Sequence, residues 1–216
     1  MSTLAPVPPT DRLVPRFAAE PPQETLPYGR WAETLRAEFL SACLGIDTEG
    51  EELGEPGEIV WFPDRTWCGR TYVPATARTS NDLELFGYVS FVIGEDGRGA
   101  GDFEASADFT DAVAERNPDW QLDLSDEVVG TWRGENAGVA AITLVWGVAL
   151  VQGGAIVTAE LADLAVDQCE LSEERFTLIG PDDYRGDFLD IKLWNARGDL
   201  LAGESLYEDD GEDDED

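Results

Sequence analysis

A long uncharged segment is the feature that most constrains how this chain can fold. Residues 136–159 carry no charged side chain over 24 consecutive positions, in a protein whose formal charge is −32. A membrane-spanning helix needs about 20 apolar residues, so the length of the segment alone permits a span. However, Glu135, Glu160 and Asp163 flank the segment, whereas basic residues are typical of a cytoplasmic membrane anchor. The flanking charges therefore argue against a membrane helix.

The same segment can instead form two strands. Gly153 and Gly154 interrupt the apolar run at a point where a tight turn needs positive φ, and the residues on either side are rich in Val, Ile and Thr. We therefore predict a hairpin with strands over residues 139–151 and 155–166. Both strands are nearly apolar on two faces, which is typical of strands in the interior of a sheet.

The rest of the chain also shows the period of strands. In residues 102–109, apolar side chains alternate with polar ones, as expected for a half-buried strand. One amphipathic helix is predicted within residues 29–46, and a short helix is predicted near residues 111–116. Further strands are expected near residues 58–62, 67–73, 83–93, 120–124, 128–133, 174–179, 187–194 and 200–207. These elements predict a mainly β fold (β-rich α+β), an antiparallel sandwich or barrel of about ten strands with one N-terminal amphipathic helix.

The two ends of the chain differ from its centre. Seven of the 12 prolines fall in residues 1–27, which we expect to be a flexible Pro-rich arm. Residues 208–216 carry eight acidic side chains in nine positions, and their repulsion predicts a disordered acidic tail. Between them we expect a single β-rich globular domain over residues 28–207.

The charge composition limits the kind of partner. With 46 acidic and 14 basic residues, the surface should repel phosphate backbones and anionic lipids, so we expect neither direct nucleic-acid binding nor membrane binding. A protein partner with a basic surface is favoured instead. Adaptation to high salt is an alternative source of the acidity. The three cysteines lack CxxC spacing and the N-terminus lacks a secretory pattern, so the predicted location is cytoplasmic.

Several kinds of catalytic chemistry are missing from the sequence. There is no histidine, which excludes histidine-dependent nucleophilic catalysis and the commonest nitrogen ligand for metals. Neither of the glycine-rich phosphate-binding patterns, GxxxxGK[ST] and GxGxxG, occurs. We therefore predict no cofactor, and weak divalent cation binding is the remaining metal hypothesis.

The densest polar and aromatic cluster is WFPDRTWCGRTY. Its candidate ligand-binding residues are Trp61, Asp64, Cys68, Arg70 and Tyr72. A strand over residues 66–73 would place Cys68, Arg70 and Tyr72 on one face, where the guanidinium could lower the thiol pKa. Tyr72 and Trp61 could then form a pocket wall. Ordinary core packing of the aromatic residues is the alternative.

A second candidate site is acidic. The stretch GPDDYRGD brings Asp182, Asp183 and Asp187 into one loop, and carboxylate oxygens are the ligands that calcium prefers. These residues are the candidate metal ligands.

The leading functional hypothesis is a non-enzymatic protein-protein interaction or assembly module with a strongly acidic surface. One alternative is a small-molecule binder or enzyme that uses an aromatic-lined β pocket. Another is a nucleic-acid mimic that occupies a basic protein.

Overall fold

The computed structural model describes residues 29–48, 50–94, 99–133 and 138–206. These residues contain one α-helix and 12 strands. The elements are α1 (Ala32–Cys43), β1 (Pro56–Trp61), β2 (Arg65–Trp67), β3 (Arg70–Thr79), β4 (Glu84–Ile93), β5 (Ala100–Thr110), β6 (Leu122–Arg133), β7 (Val139–Ala149), β8 (Gly154–Leu161), β9 (Leu164–Glu170), β10 (Arg175–Asp182), β11 (Leu189–Asn195) and β12 (Leu200–Ser205). The predicted flexible arm and acidic tail lie outside the described residues.

The strands form three antiparallel sheets. Sheet A has the order β1-β3-β4-β5, with β2 also paired to β3; sheet B has the order β10-β7-β6; and sheet C has the order β12-β11-β8-β9. Helix α1 packs on one face of sheet A, sheet B covers the other face, and sheet C covers the far face of sheet B. The mainly β, antiparallel prediction is confirmed, and the open sheets make the fold a layered sandwich and not a barrel.

Strand β7 lies at the centre of this arrangement because both of its faces are apolar. Ile142, Leu144 and Trp146 pack towards sheet A, while Val145 and Ala149 pack in the core shared with sheet C. The predicted interior position of this strand is confirmed. Among the described residues, no helix has the length and apolarity needed to cross a bilayer.

The predicted hairpin is wrong, although the chain does turn at Gly153, whose φ is 87°. Strand β7 pairs with β6 and β10, whereas β8 pairs with β9 and β11 in a different sheet. Val145 of β7 and Val157 of β8 belong to the same hydrophobic core. The strand predicted over 155–166 ends at Leu161, because the next two residues adopt positive φ before β9 begins.

Other predicted boundaries also move. The two strands predicted near residues 120–124 and 128–133 are one continuous strand, β6, which begins at Leu122, and a bulge between Val128 and Gly130 shifts its alternation. The helix predicted near residues 111–116 is reduced to a 3₁₀ turn of three residues. Helix α1 agrees with the predicted amphipathic helix and buries its apolar face against sheet A.

A buried guanidinium connects the three sheets. Arg65 of β2 is 2% exposed, and its Nε donates a hydrogen bond of 2.9 Å to the Thr177 carbonyl oxygen of β10. Its Nη2 donates to the Gln168 carbonyl oxygen and lies 3.3 Å from Asp167 Oδ1, both in β9. Burial raises the pKa of Asp167, while Arg65 and the backbone N–H groups of Ile179 and Gln168 lower it. The ion pair thus has its hydrogen bonds supplied by backbone groups from two sheets.

Loss of this guanidinium should destabilise the fold. Arg65→Met leaves Asp167 buried without its counterion, and we expect the free energy of unfolding to fall by about 3–5 kcal/mol. The combined variant Arg65→Met/Asp167→Asn removes the uncompensated charge, so it should be more stable than Arg65→Met alone. Urea unfolding of Arg65→Met, Asp167→Asn and the double variant measures the differences. A double variant that loses as much stability as the sum of the two single variants would contradict the assignment.

The close approach of β6 to β7 gives a second stability prediction. A Cβ at Gly147 would lie 2.2 Å from the Asp123 backbone oxygen and 3.1 Å from Phe176 Cζ. Gly147→Ala should therefore cost about 1–3 kcal/mol or more by overpacking. Gly101→Ala is the matched control because a Cβ there meets nothing within 4 Å. Equal thermal stability of the two variants would show that the strands can separate without cost.

Candidate functional site

The hypothesis of a shared strand face at residues 66–73 is wrong for Cys68. Cys68 and Gly69 form the turn between β2 and β3, with φ values of 50° and 78°. Positive φ at both central residues is typical of a tight hairpin turn. The exposed Cys68 thiol therefore lies in a turn, while Arg70 and Tyr72 lie on β3.

The guanidinium of Arg70 already has acidic partners. It forms an ion pair with the Asp102 carboxylate, lies 3.4 Å from Glu104 Oε2, and donates a 3.1 Å hydrogen bond to Ser90 Oγ. Arg70 therefore spans three strands of sheet A and neutralises two acids of β5.

Trp61 and Tyr72 do not form a common pocket wall. The Trp61 ring packs against Phe39 of α1 at a centroid distance of 6.0 Å, whereas Tyr72 contacts Tyr88 on the opposite face of sheet A at 5.7 Å. Burial raises the pKa of Tyr72, and it raises the pKa of Tyr88 to about 12. Asp64 is 1% exposed and lies immediately before β2. The sheet thus separates the predicted ligand-binding residues into different environments.

The acidic loop does not assemble a recognisable metal site. Asp182 Oδ1 accepts a hydrogen bond of 2.8 Å from the backbone N–H of Leu189, and Asp187 pairs with Tyr184 through the backbone. Asp183 lies next to Asp182 with φ of 48°. Within the described residues, no group of three or more acidic or cysteine side chains is arranged to hold a metal ion.

A group of acidic side chains that the sequence reasoning missed surrounds strand β6. Asp123, Ser125 and Glu127 lie opposite Val148, Trp146 and Leu144 of β7, so they face sheet A. We call the acids around this edge strand the β6 seam. Its members are Glu84, Asp108, Asp123, Asp126, Glu127 and Glu204.

The seam brings together carboxyl groups from all three sheets. Burial raises the pKa of Glu84 to about 7, with a further increase from Asp123 and an opposing effect of Arg78. Burial also raises the pKa of Glu204. A backbone hydrogen bond from Leu122 lowers this pKa, and the nearby Asp123 raises it further. Asp123 therefore interacts with an acid of sheet A and with an acid of sheet C. For Glu127, burial is again the main cause of a raised pKa.

Glu84 and Asp123 line a small cavity between sheets A and B. Its volume is about 40 Å³, and Ser125 and Trp146 also line it. The Trp146 indole Nε1 is buried and finds no hydrogen-bond partner in the described part of the chain. A glutamate with a pKa near 7 suits general acid catalysis, but small-molecule sites occupy about 300–1,000 Å³. The cavity volume therefore favours a role of Glu84 in pH-dependent stability over a role in catalysis.

A larger cleft opens on the other side of β6, between the edges of sheets B and C. Its volume is about 250 Å³. Trp120, Leu124 and Asp126 line it from the β6 side, and Glu204 and Leu206 line it from the β12 side. The cleft therefore combines an aromatic ring, aliphatic side chains and two carboxyl groups.

One sequence signal could have identified part of the seam. The stretch LDLSDE alternates with period two, so its acids fall on both faces of one strand. The prediction of two separate strands concealed this pattern, and the proximity of Glu84 and Glu204 to Asp123 depends on sheet stacking.

Comparisons with protein-family models, with curated proteins and with solved structures found no match. The function must therefore be inferred from the chain's own residues.

The unusual titration of Glu84 predicts a pH-dependent stability. The folded chain retains this proton up to about pH 7, whereas an unfolded chain with the ordinary pKa of 4.5 releases it earlier. Stability should therefore fall as the pH rises through this window, by about 1–3 kcal/mol for a partly exposed group. Glu84→Gln should match the wild-type chain near pH 4 and exceed its stability near pH 8.

Chemical unfolding across this pH range provides the measurement. Glu58→Gln is the control, because it removes the same charge from an exposed position on the same sheet. A Glu84→Gln variant whose stability follows the wild-type curve at every pH would contradict the assigned titration.

Proposed function

We propose that this protein is a non-enzymatic interaction module that binds a protein partner through a basic surface of that partner. The observation that carries the proposal is the convergence of carboxyl groups from three sheets at the edge strand β6. Asp123 lies between Glu84 of sheet A and Glu204 of sheet C, and Glu127 is influenced by Asp126 and Asp108. Asp108 and Asp126 are exposed and the other seam acids are half-buried, so the seam presents acidic side chains to solvent along one edge.

A basic partner would relieve the mutual repulsion of these acids. Like charges held close together destabilise each other, and a cation within a few ångströms favours their ionised forms. The 46 acidic residues greatly outnumber the 14 basic ones, so the chain's own cations neutralise only a minority of its carboxylates. Complementary charge would also accelerate the encounter with the partner and make it sensitive to salt.

The two hollows beside strand β6 favour protein binding over small-molecule catalysis at this edge. Their volumes are about 40 Å³ and 250 Å³, both below the usual volume of a small-molecule site. The three cysteines are free thiols, which fits the reducing cytoplasm as the place of action.

Neutralising the seam should weaken capture of the partner. The variant Asp108→Asn/Asp123→Asn/Glu127→Gln removes three seam charges and leaves the cleft carboxyl groups in place. A basic protein is first captured with the wild-type chain and purified. We expect the dissociation constant of the triple variant for this protein to be about tenfold higher than that of the wild-type chain. Calorimetric titration of the purified pair provides the measurement.

The matched control is Glu51→Gln/Glu52→Gln/Glu55→Gln, which removes three charges from exposed positions that precede β1. It should bind like the wild-type chain. Equal weakening by both triple variants would show that only the total charge matters, and a purified partner without a basic surface would refute the proposal.

A further inference from the structure

Acids follow apolar residues on the cleft-lining faces of both β6 and β12. Along β6, Leu122 and Leu124 face sheet C, and Asp126 is the next residue on that face. Along β12, Ala202 faces the core and Glu204 is the next inward position. Both strands therefore contribute a carboxyl group to the lining of the cleft.

The lining of the cleft indicates the chemistry of its occupant. It consists of the Trp120 indole, three leucines, one serine, and the carboxyl groups of Asp126 and Glu204. Apolar walls with two acids suit a cation carried on an aliphatic stem. The volume of about 250 Å³ is slightly below that of small-molecule sites, so it fits one long side chain better than a free metabolite.

We propose that this cleft receives one arginine side chain of the basic partner, an inference that rests on the proposed function. A guanidinium is planar, stacks on aromatic rings and offers five donors that can reach two carboxylates at once, whereas an ammonium group is a compact point charge. Trp120 supplies the aromatic face, and Asp126 and Glu204 supply acceptors from the edges of two different sheets. The leucines contact the methylene groups of the arginine stem.

The affinity for a single arginine should be modest. Asp126 is exposed and Glu204 is half-buried, so each ion pair is partly screened by solvent. Each such pair, and a cation–π contact at an exposed ring, changes a binding constant about twofold to fivefold. Strong binding would then require additional contacts of the partner with seam acids outside the cleft.

The test uses the full chain labelled with ¹⁵N and N-acetyl-arginine-N-methylamide as the probe, at an ionic strength of about 0.15 M. The Trp120 indole resonance is assigned by its loss in Trp120→Phe. We expect a saturable shift of this resonance with the arginine probe, and binding several-fold weaker with N-acetyl-lysine-N-methylamide. Equal affinity for the two probes would overturn the assignment to arginine.

The variant Asp126→Asn/Glu204→Gln should weaken binding of the arginine probe about fivefold or more. Both replacements retain a side-chain oxygen, so the hydrogen bond from the Leu122 backbone can persist. Asp163→Asn/Glu170→Gln removes the same number of charges from exposed positions around β9 and should leave binding unchanged. We call Asp126→Asn/Glu204→Gln the cleft variant. The proposal would be overturned if the cleft variant bound the arginine probe as tightly as the wild-type chain, whether or not the variant self-associates.

The same variants separate this inference from the proposed function. If the cleft variant binds the purified partner as tightly as the wild-type chain while the seam triple variant does not, the partner binds but places no arginine in the cleft. If neither variant weakens binding of the partner, the proposed function itself fails.

Discussion

The architecture depends on the need to cover both faces of strand β7. A strand that is apolar on two sides is stable only between two other layers, and here sheet A and sheet C provide those layers. In the described part of the chain sheet B has three strands, so β6 pairs with β7 on one side and lies at the edge of the sheet on the other. The constraint that buries β7 therefore also places β6 at the boundary of all three sheets.

Stacking by hydrophobic contact alone does not fix how the layers lie against each other. Apolar faces tolerate sliding and repacking, whereas a hydrogen-bonded ion pair requires a defined geometry. Arg65 supplies that geometry by reaching from β2 to the backbone of β10 and the carboxylate of β9. Burial of Asp167 without Arg65 would be unfavourable, so the pair couples the position of sheet A to that of the two sheets beyond it.

Local patterns predicted the elements of this fold better than their pairing. Period-two alternation identified most strands, because alternation reports burial of one face, and the uncharged run that is apolar on both faces identified the interior position of β7. The turn at Cys68 was missed because a non-glycine residue with positive φ leaves little signal in the sequence. The pairing of β7 with β6 and β10 was also missed, because it depends on which distant strands cover its faces.

The same limit applies to the candidate site. Its acids come from β4, β5, β6 and β12, and only those on β6 are neighbours in the sequence. In a chain with 46 acids, a short acidic run carries little information, whereas an acid at an inward-facing position is informative. Glu204 is such a residue, because it is half-buried and follows the core residue Ala202 on the same face of β12.

A half-buried acid at the edges of two stacked sheets has an energetic consequence. Burial raises the pKa of Glu204, because its ionised form is less favourable in the folded chain than in water. Binding of a cation in the cleft and ionisation of Glu204 are then linked, because a nearby positive charge favours the ionised form. The cost of ionising this acid in the isolated fold would thus be offset once a basic partner is bound, so partner binding and stability depend on the same side chain.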